Sequence, residues 1–380
     1  MTLGKEEKIL AVTEDGGYLP GTHPDLPPPE NVHGPIHWIR VNLFGSVIDT
    51  ALTLLAVYFL YSALTFLVDW MIINAAFTGE SRKDCRAIAP DGACWAFIGN
   101  RLSLFIYGFY PEPERWRVDL TFVLLILAIM PVLYEGMPQR GKALIYSCLY
   151  PFIAAWLLVG GFGLVYVPTD QFGGLMLNIV IGVTGIAFSL PIGIVLALGR
   201  QSNLPIVRIL CVTFIEIIRG VPLITLLFVA AVMLSYFVPP GTNFDLLVRV
   251  LIMVTLFASG YMAEVIRGGL QAIPNGQYEA ADAMGLKYWQ SMRLVVLPQA
   301  LKISIPGIVN TFIALYKDTT LVIVIGRLDI LGIGNSSLAD TKWQGLSTEV
   351  YIFVALFFFI SCFAMSRYSL WLEKKLHTGH

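Results

Sequence analysis

The sequence predicts an all-α, polytopic membrane protein of about eight transmembrane helices. Two compositional facts point there. Apolar residues make up 56% of the 380 positions and charged residues only 13%, whereas an ordinary soluble domain carries about 25% charged residues. Mean hydropathy is +0.72. The third observation is spacing. Apolar runs near 48–73, 119–134, 145–167, 175–198, 206–237, 247–266, 301–325 and 349–371 approach or exceed the length needed to cross a bilayer, about 20 residues. A formal net charge of −1 gives no case for nucleic acid.

Residues 1–44 form an amino-terminal arm rich in Gly, Pro and charge, including DLPPPE at 25–30. Such composition predicts a mostly unstructured segment, ending in a short interfacial stretch with Trp38 and Arg40 near the headgroups. No cleavable secretory signal is expected, because the first apolar run begins only near residue 48. Residues 45–167 hold three spans, an accessory transmembrane region whose loop at 74–118 contains Cys85 and Cys94. On an oxidising side those thiols can bridge and staple a surface feature; the alternative is two free thiols. Trp95, Phe97, Phe105, Tyr107, Phe109 and Tyr110 in that loop either rest on the membrane face or form the core of a small cap. Cys148, Cys211 and Cys362 lie in or near spans and read as packing residues. Residues 168–372 hold the last five spans, and 373–380 form a tail.

Lys and Arg in short loops set the orientation. With both termini cytoplasmic, cytoplasmic loops hold Arg140 and Lys142, then Arg200 and Arg208, then Arg267, Lys287, Arg293 and Lys302. The loop at 74–118 votes the other way with Arg82, Lys83, Arg86, Arg101, Arg115 and Arg117, but longer loops bias orientation less.

Catalytic chemistry has little to stand on. Histidines occur at 23, 33, 37, 377 and 380, all in the tails, so no metal site or histidine proton relay is expected within the membrane. Nothing resembles a nucleophile elbow or a paired-carboxylate site. GxxxxGK[ST] is absent; GKALI at 141–145 lacks the hydroxyl that would hold magnesium.

The passage 264–300 stands out as polar and helix-forming between apolar spans. Glu279, Asp282, Lys287 and Arg293 exclude it from hydrocarbon, where each charge costs about 2.5–3.5 kcal/mol. Pro274 stops the preceding segment, Asn275 can cap a helix, Gly285 suits a left-handed terminal turn, and a second helix over 286–296 should end or kink at Pro298. Ala280, Ala281 and Ala283 give the first helix a smooth face for docking. The alternative is an ordinary cytoplasmic loop helix.

Glu279, Ala280, Ala281, Gly285, Val295, Leu297 and Pro298 together resemble the EAA loop of ABC importer permeases, with Val295 where the family usually has Ile. FIEIIRGVPL at 214–223, ASGYMAEVIRGGLQAIPNGQYEAA at 258–281 and LYKDTTLVIVIG at 315–326 resemble the polar-amino-acid permeases of that class. GFYPEPERWRVD at 108–119 is similar to the M-type subunit of general L-amino-acid importers. The resemblance covers roughly residues 170–372. It implies a five-helix permease core in the bacterial inner membrane, with a cytoplasmic coupling helix between its third and fourth spans. It also implies separate ATPase subunits that use ATP and Mg, a second homologous permease or a second copy, a periplasmic amino-acid-binding protein and an L-amino-acid substrate. This chain itself is expected to bind no cofactor and to be no enzyme.

Ionisable groups inside spans are candidates for the substrate path. Lys317 and Asp318, with Thr319 and Thr320, could meet the carboxylate and ammonium of an amino acid; alternatively they hold helices together. Glu216 and Arg219 share a helix face and could satisfy one another, beside Gly220 and Pro222, which loosen the backbone. Glu264 can pair with Arg267 three residues on. The rival function is an ion-coupled secondary amino-acid transporter, distinguished by ATP independence. A third reading, a membrane enzyme or scaffold, lacks a catalytic constellation.

Overall fold

A computed structural model describes residues 34–134, 136–237, 239 and 244–376. Residues 1–33 of the amino-terminal arm expected over 1–44, the histidines there, part of the loop at 238–246 and the last four tail residues lie outside the described residues. The chain divides into two compact units, Met1–Asn74 and Ala75–His380.

In the first unit, α1 (Pro35–Leu43) starts with proline in its first turn, where no amide donor is missed. Helix α2 (Val47–Val68) is capped by Ser46, whose hydroxyl oxygen accepts from the Asp49 amide at 3.0 Å. A π-turn over Asp69–Ile73 extends it to 27 residues. At 1.5 Å per residue that is roughly 40 Å, enough to cross the hydrocarbon with tilt. None of its side chains is buried.

The second unit begins with a small folded cap. Helices α3 (Arg82–Ile88) and α4 (Trp95–Tyr107) are stapled by a disulfide between Cys85 and Cys94. Phe97 and Phe105 are buried here against Trp343, Val350 and Phe353, and Tyr110 is buried lower in the unit. Phe109 remains exposed. Phe97, Phe105 and the partly buried Trp95 thus belong to the core of a cap, whereas Tyr107 and Tyr110 join the core of the main helix bundle.

Helix α5 (Arg115–Leu133) begins earlier than the apolar run suggests. Arg115 and Arg117, read from sequence as loop residues, form its first turn. Arg117 is buried, paired with Glu114 at 2.6 Å, and donates to the Val165 carbonyl at 2.8 Å. Those partners make a buried charge tolerable where an unpaired one would not be. Helix α6 (Arg140–Val159) zips onto α5 through Tyr146 and Tyr150, whose hydroxyls donate to the Leu124 and Thr121 carbonyls.

The centre is α7 (Gly174–Arg200) packed on α10 (Leu246–Gln271), with α13 (Leu297–Asp318) against both. Glycines allow this approach. A Cβ on Gly193 would sit 2.7 Å from Met262, and one on Gly269 would sit 2.5 Å from the Ala300 carbonyl oxygen. Close helix contact through small residues is how spans associate where lipid supplies no hydrophobic drive. The expected single span at 206–237 is instead broken. Helices α8 (Pro205–Gly220) and α9 (Leu223–Ala231) meet at a 100° bend. The cause is Pro222, which offers no amide donor and keeps Val221 extended.

Helix α11 (Asn275–Ala283) and the one-turn α12 (Tyr288–Ser291) follow α10. Pro298 does not end the second helix. The stretch Tyr288–Ile325 is one helical run, because a π-turn at Met292–Val296 leads into α13 with Pro298 in its first turn. Beyond it, α14 (Ile330–Ser337) is a short buried helix inside what reads in sequence as a loop. Helix α15 (Ser347–Leu376) completes the unit. Among the described residues, seven helical stretches are long and apolar enough to span, or eight if α8 and α9 count as one.

Candidate functional site

Helix α11 is a knob held from below. Ile273 and Tyr278 pack with Met292 and Val296 of the following turn, Ala281 is buried, and Gln299 donates to the Gln277 side chain at 3.0 Å. Ala281 is thus buried and anchors the helix, which corrects its placement on the docking face; Glu279, Ala280, Asp282 and Ala283 are exposed. Asn275 is not a cap, since Pro274 occupies that position and makes no side-chain cap bond. Gly285 has φ +73°. Its amide donates to the Asp282 carbonyl at 2.9 Å and that of Leu286 to Ala281 at 3.1 Å. This paired closure with a left-handed residue suits glycine, which lacks the Cβ clash. Leu297 is half-buried behind the knob and Pro298 is exposed. Sequence reasoning missed Met284, 78% exposed, and Trp289, 69% exposed, which crown the knob with apolar surface. Two large apolar side chains beside a helix too charged for lipid were the available signal.

Behind the knob, the ends of α7, α8 and α10 meet in a charge cluster. Glu264 receives Arg200 at 2.6 Å, Arg267 at 2.8 Å and, more loosely, Arg219 at 3.9 Å. Arg200 also reaches Glu216 at 3.0 Å. Glu216 and Arg219 therefore do not satisfy one another, despite sharing a helix face; each turns to a neighbouring helix. Arg219 also lies over the Tyr261 ring, 5.6 Å from its centroid. The Glu264–Arg267 pair forms as its spacing suggests, but as one edge of a larger network.

The second charged group stands elsewhere. Lys317 is exposed and Asp318 half-buried at the end of α13, and among the described residues neither makes an ion pair. Thr319, expected with them on the substrate path, is buried. Its hydroxyl donates to the Tyr316 carbonyl at 2.7 Å and accepts from Asn178 at 2.9 Å. Asn178 also donates to Asp329 at 3.2 Å and accepts from the Ile330 amide at 3.0 Å. Asp329 caps α14 through the Gly332 amide at 2.9 Å. Burial pushes its carboxyl above the ordinary range, while the Gly332 amide and Asn178 pull the other way. This latch ties α7, the end of α13 and α14 with satisfied polar groups, which is what burial demands. Thr319 is spoken for by it. Asn178 and Arg200 are 22 residues apart on α7, about 33 Å by helix rise. The Lys317/Asp318 group and the Arg219/Glu264 group therefore stand at opposite ends of the bundle, too far apart for one amino acid to touch both.

The chain is similar to known proteins over most of its length. Residues 189–378 match the family described as "binding-protein-dependent transport system inner membrane component". The chain is 48% identical over 94% of its length, and 97% of the relative's, to an inner membrane amino-acid ABC transporter permease protein, YhdY, of Escherichia coli (strain K12). It is 46% identical over 93% of its length, and 96% of the relative's, to the glutamate/glutamine/aspartate/asparagine transport system permease protein BztC of Rhodobacter capsulatus. A solved chain described as an amino acid ABC transporter with histidines aligns at 28% identity and a TM-score of 0.48, covering 53% of this chain and 92% of that one. With charged helix ends packed on a multi-pass bundle and full-length likeness to two such permeases, this chain belongs to the binding-protein-dependent inner-membrane transport family, as an amino-acid ABC transporter permease.

Proposed function

We propose that this permease works with separate ATPase subunits that dock on α11 from the cytoplasm, both termini of the chain lying on that side. The observation that carries the reading is the construction of the knob: exposed Glu279, Asp282 and Met284 above a buried Ala281, closed by Gly285. ATP and Mg belong to those subunits, since GxxxxGK[ST] is absent from this chain. A second permease, homologous or identical, and a periplasmic binding protein complete the importer. L-Amino acids are the substrates, with acidic amino acids and their amides the first class to test, because those name the Rhodobacter capsulatus relative.

The helical run Tyr288–Ile325 begins beside the knob and ends at Lys317, Asp318 and the latch. Displacing α11 when the ATPases close pushes on one end of that run and tilts the other. Such coupling requires the ATPases to hold the inward and outward states with unequal affinity. Lys317 and Asp318 offer unpaired charges to substrate at one mouth; Arg219 and Glu264 sit at the other. Leu297 and Pro298 form the joint between knob and lever.

Uptake of radiolabelled L-amino acids into proteoliposomes tests the reading. The permease pair, ATPase and binding protein are supplied together, then omitted one at a time. Transport that needs internal ATP and collapses without either partner is expected. Uptake by this chain alone down an ion gradient would sink it.

A further inference from the structure

Helix α8 carries a polar stripe that transport does not fully use. Arg208, Val212, Glu216 and Arg219 share one helical face. Glu216 and Arg219 reach α7 and α10, so that face is turned toward those helices. Ile206, Ile209, Leu210 and Ile217 stay exposed around the rest of the helix. Between the stripe and the ends of α7 and α10 opens a cleft of about 650 Å³, lined by Arg200, Arg208, Val212, Thr213, Arg267 and Gln271 among others.

Charge in this cleft is unbalanced. Arg200 and Arg267 each hold a carboxylate, but the Arg208 side chain is exposed and makes no hydrogen bond or ion pair among the described residues. Among the described residues, Arg200, Arg219 and Arg267 share the carboxylates of Glu216 and Glu264, and Arg208 adds a fourth cation, leaving two positive charges uncompensated. The cleft also sits at a particular depth. It lies where the long apolar helices α7 and α10 both end, which for spans of this length is the depth of the headgroups, and α8 is amphipathic there in the manner of an interfacial helix.

We propose that this cleft binds the headgroup phosphate of an anionic phospholipid, with the acyl chains lying along Ile206, Ile209 and Leu210. Guanidinium groups match phosphate oxygens in a planar fork, and basic pockets between helices at a membrane surface favour anionic headgroups. A soluble phosphate would satisfy Arg208, but at this depth a lipid phosphate arrives with acyl chains that continue onto the exposed apolar side of α8. The charge and the apolar face together select lipid.

The test is native mass spectrometry of the full chain, purified with its transporter partners from nanodiscs of equimolar phosphatidylglycerol and phosphatidylcholine. Retained phosphatidylglycerol is expected in excess over phosphatidylcholine. Arg208→Gln should lower that retention about fivefold, the worth of one basic residue near an anionic surface, and Arg208→Lys should keep most of it. Arg208 has no partner to lose, so both variants should unfold at the wild-type temperature. A second variant, Leu210→Asn, should weaken retention without touching a charge. Equal retention of the two lipids, or retention unchanged in Arg208→Gln, would overturn the proposal. So would displacement of phosphatidylglycerol by inorganic phosphate with no effect of Leu210→Asn, which would make the cleft a free-anion site. Binding that appears only after the second permease is removed would assign the cleft to a subunit interface instead.

Discussion

Glu264 holds more of this molecule together than any other single side chain near the knob. Three arginines from three helices converge on it. Glu264→Gln leaves those guanidinium groups without their shared counter-charge, and the partly screened site should lose about 1–3 kcal/mol, read as a lower unfolding temperature together with reduced transport. Gly285 makes a different demand. Nothing lies within 4 Å of a Cβ placed there, so its constraint is the φ of +73°. Gly285→Arg adds about 1–2 kcal/mol of backbone strain and places a bulky cation on the side proposed for docking. The expected outcome is transport reduced at least tenfold, about 1.4 kcal/mol of coupling, with the protein still in the membrane; normal uptake would remove the knob from the mechanism. In the latch, Asn178→Leu strands Asp329 and Thr319 in a buried site and should cost about 1–3 kcal/mol. Because Asp329 titrates above the ordinary carboxylate range, the folded state holds that proton more tightly than the unfolded chain does. Its contribution is full at low pH and is lost as pH rises through the raised value. Asp329→Asn should therefore flatten the fall of unfolding temperature with pH above the ordinary carboxylate range.

At the scale of elements, the apolar runs told the truth about number and less about ends. Boundaries failed where a charge was buried with a partner, as at Arg117 with Glu114, because hydropathy scores a residue without its contacts. The broken span was half legible: Gly220 and Pro222 marked the weak point, but a 100° turn depends on what α8 and α9 pack against. Helix α14 was missed because eight residues are too few to register as a span, although Asp329 stands where a cap belongs. Glycine at 285 was readable from local grammar, whereas burial of Ala281 and Thr319 was not, since the pattern of a motif does not say which side faces the protein. The disulfide belongs to this scale too. Cys85→Ser should release the ten-residue loop it closes at about 2–3 kcal/mol, seen as faster hydrogen exchange over residues 75–107 with the α7–α10 pair unaffected.

Over the whole molecule, the second unit has two poles. One carries the knob, the Glu264 network and the basic cleft; the other carries the latch, α14 and the stapled cap. The poles are linked by helices packed through glycine, which transmit displacement well because close-packed interiors resist compression. The cap draws on widely separated parts of the chain. The Cys94 amide donates to Glu349 across 255 residues, Arg82 donates to the Gln344 carbonyl across 262, and Arg101 pairs with Asp340. A ribosome making this protein releases Cys85 and Cys94 long before Trp343, so the bridge can close on a cap whose core is still missing. Phe97 has no Trp343 to pack on until nearly all of the chain has been synthesised. Translation stalled before residue 343 would thus leave an oxidised but open cap, a ready handle for quality-control proteases, and the last helices of the protein decide whether its first ones survive.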